Sequence, residues 1–218
     1  MLMGRKNLIR ASYLPYHVTA RTNNKEWFDL PLCEVWLLIQ NALKEAEEIH
    51  HVEIVSFVLM GNHYHMLLIT PESNLDSFMY EFNKRLSLKI RKSTGRINKI
   101  FGGRYKWCLI QSQNYFLNCY RYVYQNPVRA GVVEKCEDYP YSTLRAVLGK
   151  VHFSVPVHDK YGFKDDYGLM WLNKKLDIVE IDELKKKLAR STLVDLKTKS
   201  RRKIEVENNV LWCLMIPK

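Results

Sequence analysis

The sequence predicts an α+β domain in which four strands and two covering helices run β-α-β-β-α-β, followed by an added helix and a C-terminal extension. Three observations carry this. Short β-branched and aromatic runs recur near Tyr16, Val52, His63 and Arg104. Apolar residues spaced by three and four separate the first run from the second and the third from the fourth. Between the second and third runs stands only Gly61-Asn62, which is turn chemistry and joins them as a hairpin.

Taken in order, Met1 to Ser12 is a basic lead-in, and Tyr16-His17-Val18-Thr19 opens a strand reaching Arg21, with Thr22-Asn23-Asn24 as the turn behind it. His17 is expected to pack rather than react. After Pro31, the run Leu32, Val35, Trp36, Ile39, Leu43 and Ala46 predicts an amphipathic helix to about Ile49. Val52 to Leu59 and His63 to Thr70 are the next two strands. Asn74 is a candidate cap for a helix whose apolar stripe is Leu75, Phe78, Met79, Phe82, Leu86 and Ile90, ending at Ser93-Thr94-Gly95. A basic loop follows, and Arg104 to Ile110 alternates as a fourth strand. The last helix of the core starts near Gln113 and stops at Asn126-Pro127, because proline disfavours helix in the residue before it. This order matches a ferredoxin-like split β-α-β core with the final helix laid against the sheet.

Residues 1–149 therefore form one domain. Val132 to Gly149 reads as a wrap-around segment with a turn at Tyr139-Pro140-Tyr141-Ser142, and residues 150–218 read as an extension of unassigned role. In that extension Leu176 to Leu188 is helical in pattern, Lys197 to Lys203 is basic and Val210 to Ile216 is apolar.

With 218 residues, 47% hydrophobic and 26% charged, the chain has the composition of an ordinary soluble protein able to bury a core. No stretch approaches the ~18 apolar residues of a membrane span, and Met1 to Arg10 has no apolar signal segment. No membrane partner and a cytoplasmic location are expected. Five widely spaced cysteines without a C-x-x-C pair suggest neither a disulfide framework nor a zinc knot.

The net charge of +11 is concentrated. Between Phe82 and Val133 stand Lys84, Arg85, Lys89, Arg91, Lys92, Arg96, Lys99, Arg104, Lys106, Arg121 and Arg129 with no Asp or Glu, while the remaining 23 basic residues equal the 23 acidic ones. A segment holding the whole excess is an electrostatic footprint for nucleic acid. The first nine of these residues are the predicted phosphate contacts, with an exposed Tyr or Trp107 available for stacking. The plainer alternative is a solvated helix face, which usually mixes both signs.

His63 and His65 lie two apart in an apolar run, so on a strand both project from one face and can share a divalent metal. The alternative is one buried, hydrogen-bonded imidazole and one facing solvent. On the last helix, at about 100° per residue, Tyr122 and Asn126 lie ~40° apart with Tyr115 on the same side, while Tyr120 and Tyr124 point nearly opposite. A phenol of pKa about 10 is a poor nucleophile unless a cation or base assists it and a metal polarises the electrophile. Without that help all four tyrosines simply pack.

His63-Tyr64-His65, followed by Tyr122-Val123-Tyr124-Gln125-Asn126-Pro127-Val128-Arg129-Ala130-Gly131, resembles the HUH single-tyrosine transposases, most closely the REP-associated tyrosine transposase branch. Tyr16-His17-Val18-Thr19 with Arg21 and Asn23-Asn24, Phe101 with Arg104-Tyr105-Lys106, and Tyr139-Pro140-Tyr141-Ser142 extend the likeness over about Leu8 to Gly149. Tyr64 is larger than the family's usual aliphatic middle residue, and the extension has no counterpart in it. The resemblance implies an HUH-type core, His63, His65 and Asn126 as ligands of Mg²⁺ or Mn²⁺, and Tyr122 as nucleophile. The expected activity is then a metal-dependent endonuclease and strand transferase on single-stranded or hairpin DNA, through a 5′-phosphotyrosine. It would act as monomer or homodimer, with the site completed within one chain or across two. The alternative is a non-cleaving nucleic-acid-binding protein derived from such an enzyme.

Overall fold

Alternation along the strand carrying the two histidines sorts the whole molecule. In the computed structural model, which describes residues 7–159, 165–190 and 192–193, the strands are β1 (Tyr16–Arg21), β2 (Glu53–Leu59), β3 (His63–Ile69) and β4 (Lys106–Ile110). The main helices are α1 (Leu32–Glu47), α2 (Leu75–Thr94) and α3 (Gln113–Tyr124). The sheet order is β2-β3-β1-β4, antiparallel throughout these four. This is the ferredoxin-like arrangement the element order predicts.

Tyr64, Met66 and Leu68 point to one face, where Val35, Ile39 and Leu43 of α1 and Phe78, Phe82 and Leu86 of α2 close a core. Leu67 and Ile69 point to the other, where Phe116, Cys119, Tyr120 and Val123 of α3 close a second core. Both faces are covered, so β2 and β3 are buried along nearly their whole length. A register shift between Ile54 and Ser56 leaves Val55 unpaired, which lets Val55 and Val58 join the α3 side while Ile54 and Phe57 stay on the other.

Local expectations mostly hold, with informative exceptions. Gly95 ends α2 in the left-handed conformation, φ 69°. Asn74 occupies the α2 cap position but makes no side-chain capping bond; its amide donates instead to Glu72 Oε2 at 3.1 Å. Pro127 does stop α3, but the chain resumes at once as α4 (Asn126–Arg129), with the proline in its first turn where no amide hydrogen is needed. The segment Tyr139 to Thr143 is more than a turn. Leu59 N donates to Tyr141 O at 2.9 Å, Thr143 N donates to Phe57 O at 2.9 Å and Tyr139 OH donates to Leu59 O at 2.7 Å, so it covers the free edge of β2.

After α5 (Leu144–Val147) come α6 (Asp166–Asn173), α7 (Ile178–Leu188) and β5 (Thr192–Leu193), which pairs parallel to β4. Asp177 and Glu180 form a reciprocal capping box at the start of α7. Leu172, Leu176 and Leu184 are buried in the α3 core. The basic stretch Lys197 to Lys203 and the apolar stretch Val210 to Ile216 lie outside the described residues. Gln125, at the end of α3, donates to Leu172 O at 2.6 Å and to Lys174 O at 2.7 Å, so the α6–α7 connection satisfies a buried amide.

Removing that amide strands the buried Leu172 carbonyl and takes a hydrogen bond from Lys174 O. Gln125→Ala should therefore lower the unfolding free energy by about 2 kcal/mol, read from the shift in urea midpoint at unchanged slope.

Candidate functional site

On the α3 side of the sheet, β1 and β3 set polar side chains side by side. The register pairs Arg21 with His63, Thr19 with His65, and His17 with Leu67. His65 Nδ1 lies 3.0 Å from His17 Nε2, with the rings stacked at 5.2 Å and 26°. His63 Nδ1 donates to Asn62 Oδ1 at 2.8 Å, which leaves its Nε2 bare. The His63 and His65 rings stand 5.1 Å apart and nearly perpendicular.

Above them, α3 lays Tyr122 edge-on to His65 at 5.7 Å and to His17 at 6.3 Å. The restart of the helix after Pro127 brings Arg129 back beneath this tyrosine. Its guanidinium sits 4.1 Å from the Tyr122 ring centroid, donates to Tyr122 O at 3.1 Å and donates to Asn126 Oδ1 at 2.7 Å. The Asn126 amide nitrogen in turn donates to Tyr122 O at 3.0 Å and Val123 O at 3.2 Å.

His63, His65, Tyr122 and Asn126 all line one open cleft of about 1260 Å³. Arg21, Lys25, Arg104, Lys106, Arg129 and Lys185 also line it, and no carboxylate among the described residues does. Such a wall concentrates positive potential where a polyanion would enter. Burial lowers His17 to about 4. Burial, with a smaller push from Arg21, lowers His63 to about 4. His65 falls well below its usual value, first through burial and then through the neighbouring positive groups His17, His63, Arg129 and Arg21. All three imidazoles are neutral near pH 7 and keep lone pairs. Burial raises the Tyr122 phenol, opposed by Arg129 and Arg21, so it rests protonated.

The nine predicted phosphate contacts do not form one surface. Arg104 and Lys106 line the cleft. Lys84, Arg85, Lys89, Arg91 and Lys92 ride on α2, across the sheet from the histidines. Glu45 takes Arg85 at 3.0 Å and Lys89 at 2.7 Å, and Glu81 takes Lys84 at 3.6 Å. Arg96 bridges Glu26 and Asp29, and Arg91 donates to Arg96 O at 3.2 Å. Lys92 and Lys99 are exposed. A stretch free of acids in sequence thus meets acids in space.

Trp107 needs correction as a stacking residue: it is buried, edge-on to Tyr16 at 6.3 Å. His17 was expected merely to pack, yet it touches His65. Arg129 was noted only as charge. Its signal was its place seven residues after Tyr122, nearly two helical turns and so almost the same face.

Among the described residues no group of three His, Cys, Asp or Glu side chains converges as a ready metal site. The cleft offers two neutral imidazoles and the Asn126 amide oxygen. These fit a divalent ion in donor type, with one lone pair of the Asn126 oxygen already engaged by Arg129.

A family model described as IS200-like transposase matches residues 11–127. A Haemophilus influenzae protein named as a REP-associated tyrosine transposase is 28% identical, over 48% of this chain and 66% of that relative, just short of two thirds of its length. Among solved structures, a REP-associated tyrosine transposase bound to a REP hairpin aligns with TM-score 0.58 at 18% identity, over 72% of this chain and 93% of that one. At that identity the likeness speaks for the fold. A Deinococcus radiodurans transposase aligns at TM-score 0.39 and 18% identity, over 56% of this chain and 95% of that one, too remote to carry argument.

The depressed histidines make stability depend on pH. With His17 and His63 at about 4 when folded and about 6.5 when unfolded, the unfolded chain binds protons that the folded one refuses. Stability is then full above about 6.5 and lost as the pH falls toward about 4. In metal-free buffer, denaturant titrations across that window should show this slope, and His17→Phe should flatten it. An unchanged slope in the variant would clear His17 of the effect.

Proposed function

The chain belongs to the IS200-like transposase family, and from that premise we propose that it is a metal-dependent endonuclease and strand transferase for single-stranded, hairpin-bearing DNA, with Tyr122 as nucleophile. The observation that carries this is Tyr122 lying against His65 in a cleft that, among the described residues, is lined by six cations and no carboxylate. Hairpin DNA as ligand is supported by the relative solved with a REP hairpin.

The Tyr122 oxygen attacks the scissile phosphorus, forming a P–O bond to tyrosine and breaking the bond to the 3′ oxygen. The phenol loses a proton and the departing 3′ alkoxide gains one. One phosphodiester replaces another, so the step needs no nucleotide energy and can run backward to join strands. Arg129 and Arg21 favour the phenolate that burial disfavours. The bare Nε2 of His63, the outer nitrogen of His65 and the second lone pair of Asn126 Oδ1 would hold Mg²⁺ or Mn²⁺. The ion supplies polarisation of the phosphate.

Bonding through the outer nitrogen of His65 requires that His65 carry its proton on Nδ1 and donate it to His17 Nε2. His17 thus fixes the tautomer of a ligand. In the DNA-free protein, His17→Leu should weaken Mn²⁺ binding about 10- to 100-fold, measured by electron paramagnetic resonance titration, whereas His17→Gln, whose amide oxygen can accept, should recover part of the loss. Equal affinity in all three proteins would refute the tautomer role.

Tyr122→Phe keeps the ring and loses the hydroxyl, so it should abolish the covalent protein–DNA adduct while fold and DNA affinity stay nearly unchanged. Tyr120 and Tyr124 are buried in the α3 core, and truncating either to alanine should instead cost roughly 3–5 kcal/mol of stability. Peptide mapping of the adduct to another tyrosine would displace Tyr122. Intact hairpin binding with no adduct under Mg²⁺ or Mn²⁺ would point to a protein that binds without cleaving.

A further inference from the structure

A second cavity lies beside the cleft. It holds about 470 Å³ between α2 and the loop leading into β4, and it shares Gly103 and Arg104 with the catalytic cleft. Tyr80, Phe101 and Tyr105 line it. Tyr80 is 64% exposed, off the buried apolar stripe of α2, so its ring is open to a ligand. Lys84 sits 5.4 Å from the Tyr80 ring and Arg104 sits 5.2 Å from the Tyr105 ring, so cations rim an aromatic interior. The single carboxylate of the lining, Asp76, is paired with Arg10.

A Tyr and a Lys one helical turn apart are by themselves an ordinary surface pair. The facing loop is what makes this a site. It is anchored to the strand that carries His17: Asn23 N donates to Ile100 O at 2.8 Å, and Gly102 N donates to Arg21 O at 3.1 Å. At the divide, a Cβ on Gly103 would meet nothing within 4 Å, so the space over this shared wall residue is open. Within the groove, Asn83 accepts from Tyr64 OH at 2.7 Å. One lone pair of its oxygen is thereby engaged, which fixes the amide with its hydrogens available for the edge of a ligand.

We infer that this groove binds an unpaired nucleotide of the DNA strand, with the base stacked on Tyr80 and the flanking phosphates met by Lys84 and Arg104. The inference rests on the proposed action on single-stranded DNA and adds where a base next to the cleft is held. A stacking platform of this kind requires a base free of its neighbours, so paired DNA cannot use it. It also gives two of the cations singled out by sequence, Lys84 and Arg104, a shared cavity that borders the cleft, with Lys84 held 3.6 Å from Glu81.

The test compares a blunt DNA hairpin with the same hairpin carrying a single-stranded extension on either its 5′ or its 3′ side, by fluorescence anisotropy with the full chain. Wild type should prefer one extended hairpin. Tyr80→Ala should weaken that complex roughly 5- to 100-fold, the range for one stacked base, and leave the blunt hairpin unchanged, while Tyr80→Phe keeps the preference. Moving an abasic site along the extension should find one position that costs wild type the same factor and costs Tyr80→Ala nothing more. Equal binding of blunt and extended hairpins by wild type, or a preference that survives Tyr80→Ala, would overturn the inference while leaving the proposed reaction standing. Failure of wild type to bind any of these DNAs would overturn both.

Discussion

Everything at the site depends on how α3 docks across the sheet. Phe116, Cys119, Tyr120 and Val123 enter the core beside Leu67 and Ile69, and Tyr120 and Tyr124 meet edge to face at 5.0 Å. Tyr124 also shares a hydrogen bond of 2.9 Å with Thr143. Rotating the helix enough to move Tyr122 away from His65 would pull these large side chains out of the core, at several kcal/mol for each. The candidate nucleophile therefore has its direction set by residues that never touch it.

The extension reinforces this docking along the length of the helix. Lys187 stands 4.8 Å from the Tyr115 ring at its start, Arg121 lies 5.3 Å from Trp171 in its middle, and Gln125 is hydrogen-bonded to Leu172 and Lys174 at its end. The same extension contributes Lys185 to the cleft. His63, His65, Tyr122, Asn126 and Arg129 all line this cleft.

How much of this the sequence reveals depends on the range of the interaction. Periodicity is local, so the strand that pairs His63 with His65 and the helix face that pairs Tyr122 with Asn126 were both legible. His17 was not, because a lone polar residue in an apolar strand acquires meaning only when another strand brings His65 beside it. Arg129 was obscured by Pro127, which reads as a stop, although the chain turns helical again immediately and returns the guanidinium to Tyr122. Trp107 was misplaced because composition cannot tell which face of a strand will be covered, and here packing against Tyr16 covers it. The role of residues beyond 150 was hidden for the same reason: Leu172, Leu176 and Leu184 reveal a shared core only once α3 is in place.

Charge shows the same contrast between neighbours in sequence and neighbours in space. The acid-free segment holds the chain's entire excess, yet on α2 much of it is answered by Glu45 and Glu81, and Arg96 is answered by Glu26 and Asp29. Half-exposed pairs of this kind add little to stability, ~0–1 kcal/mol each, but they do reduce the field on that side of the sheet. Around the histidines no carboxylate of the described residues lines the cleft, and although Lys185 pairs with Asp182 at 3.5 Å, Arg21, Arg104, Lys106 and Arg129 keep its wall positive. Burial keeps the three imidazoles neutral there and the phenol protonated. The positive potential of the cleft thus comes from Arg and Lys, whose charge is insensitive to pH near neutrality, while the groups suited to ligation and attack remain uncharged among them.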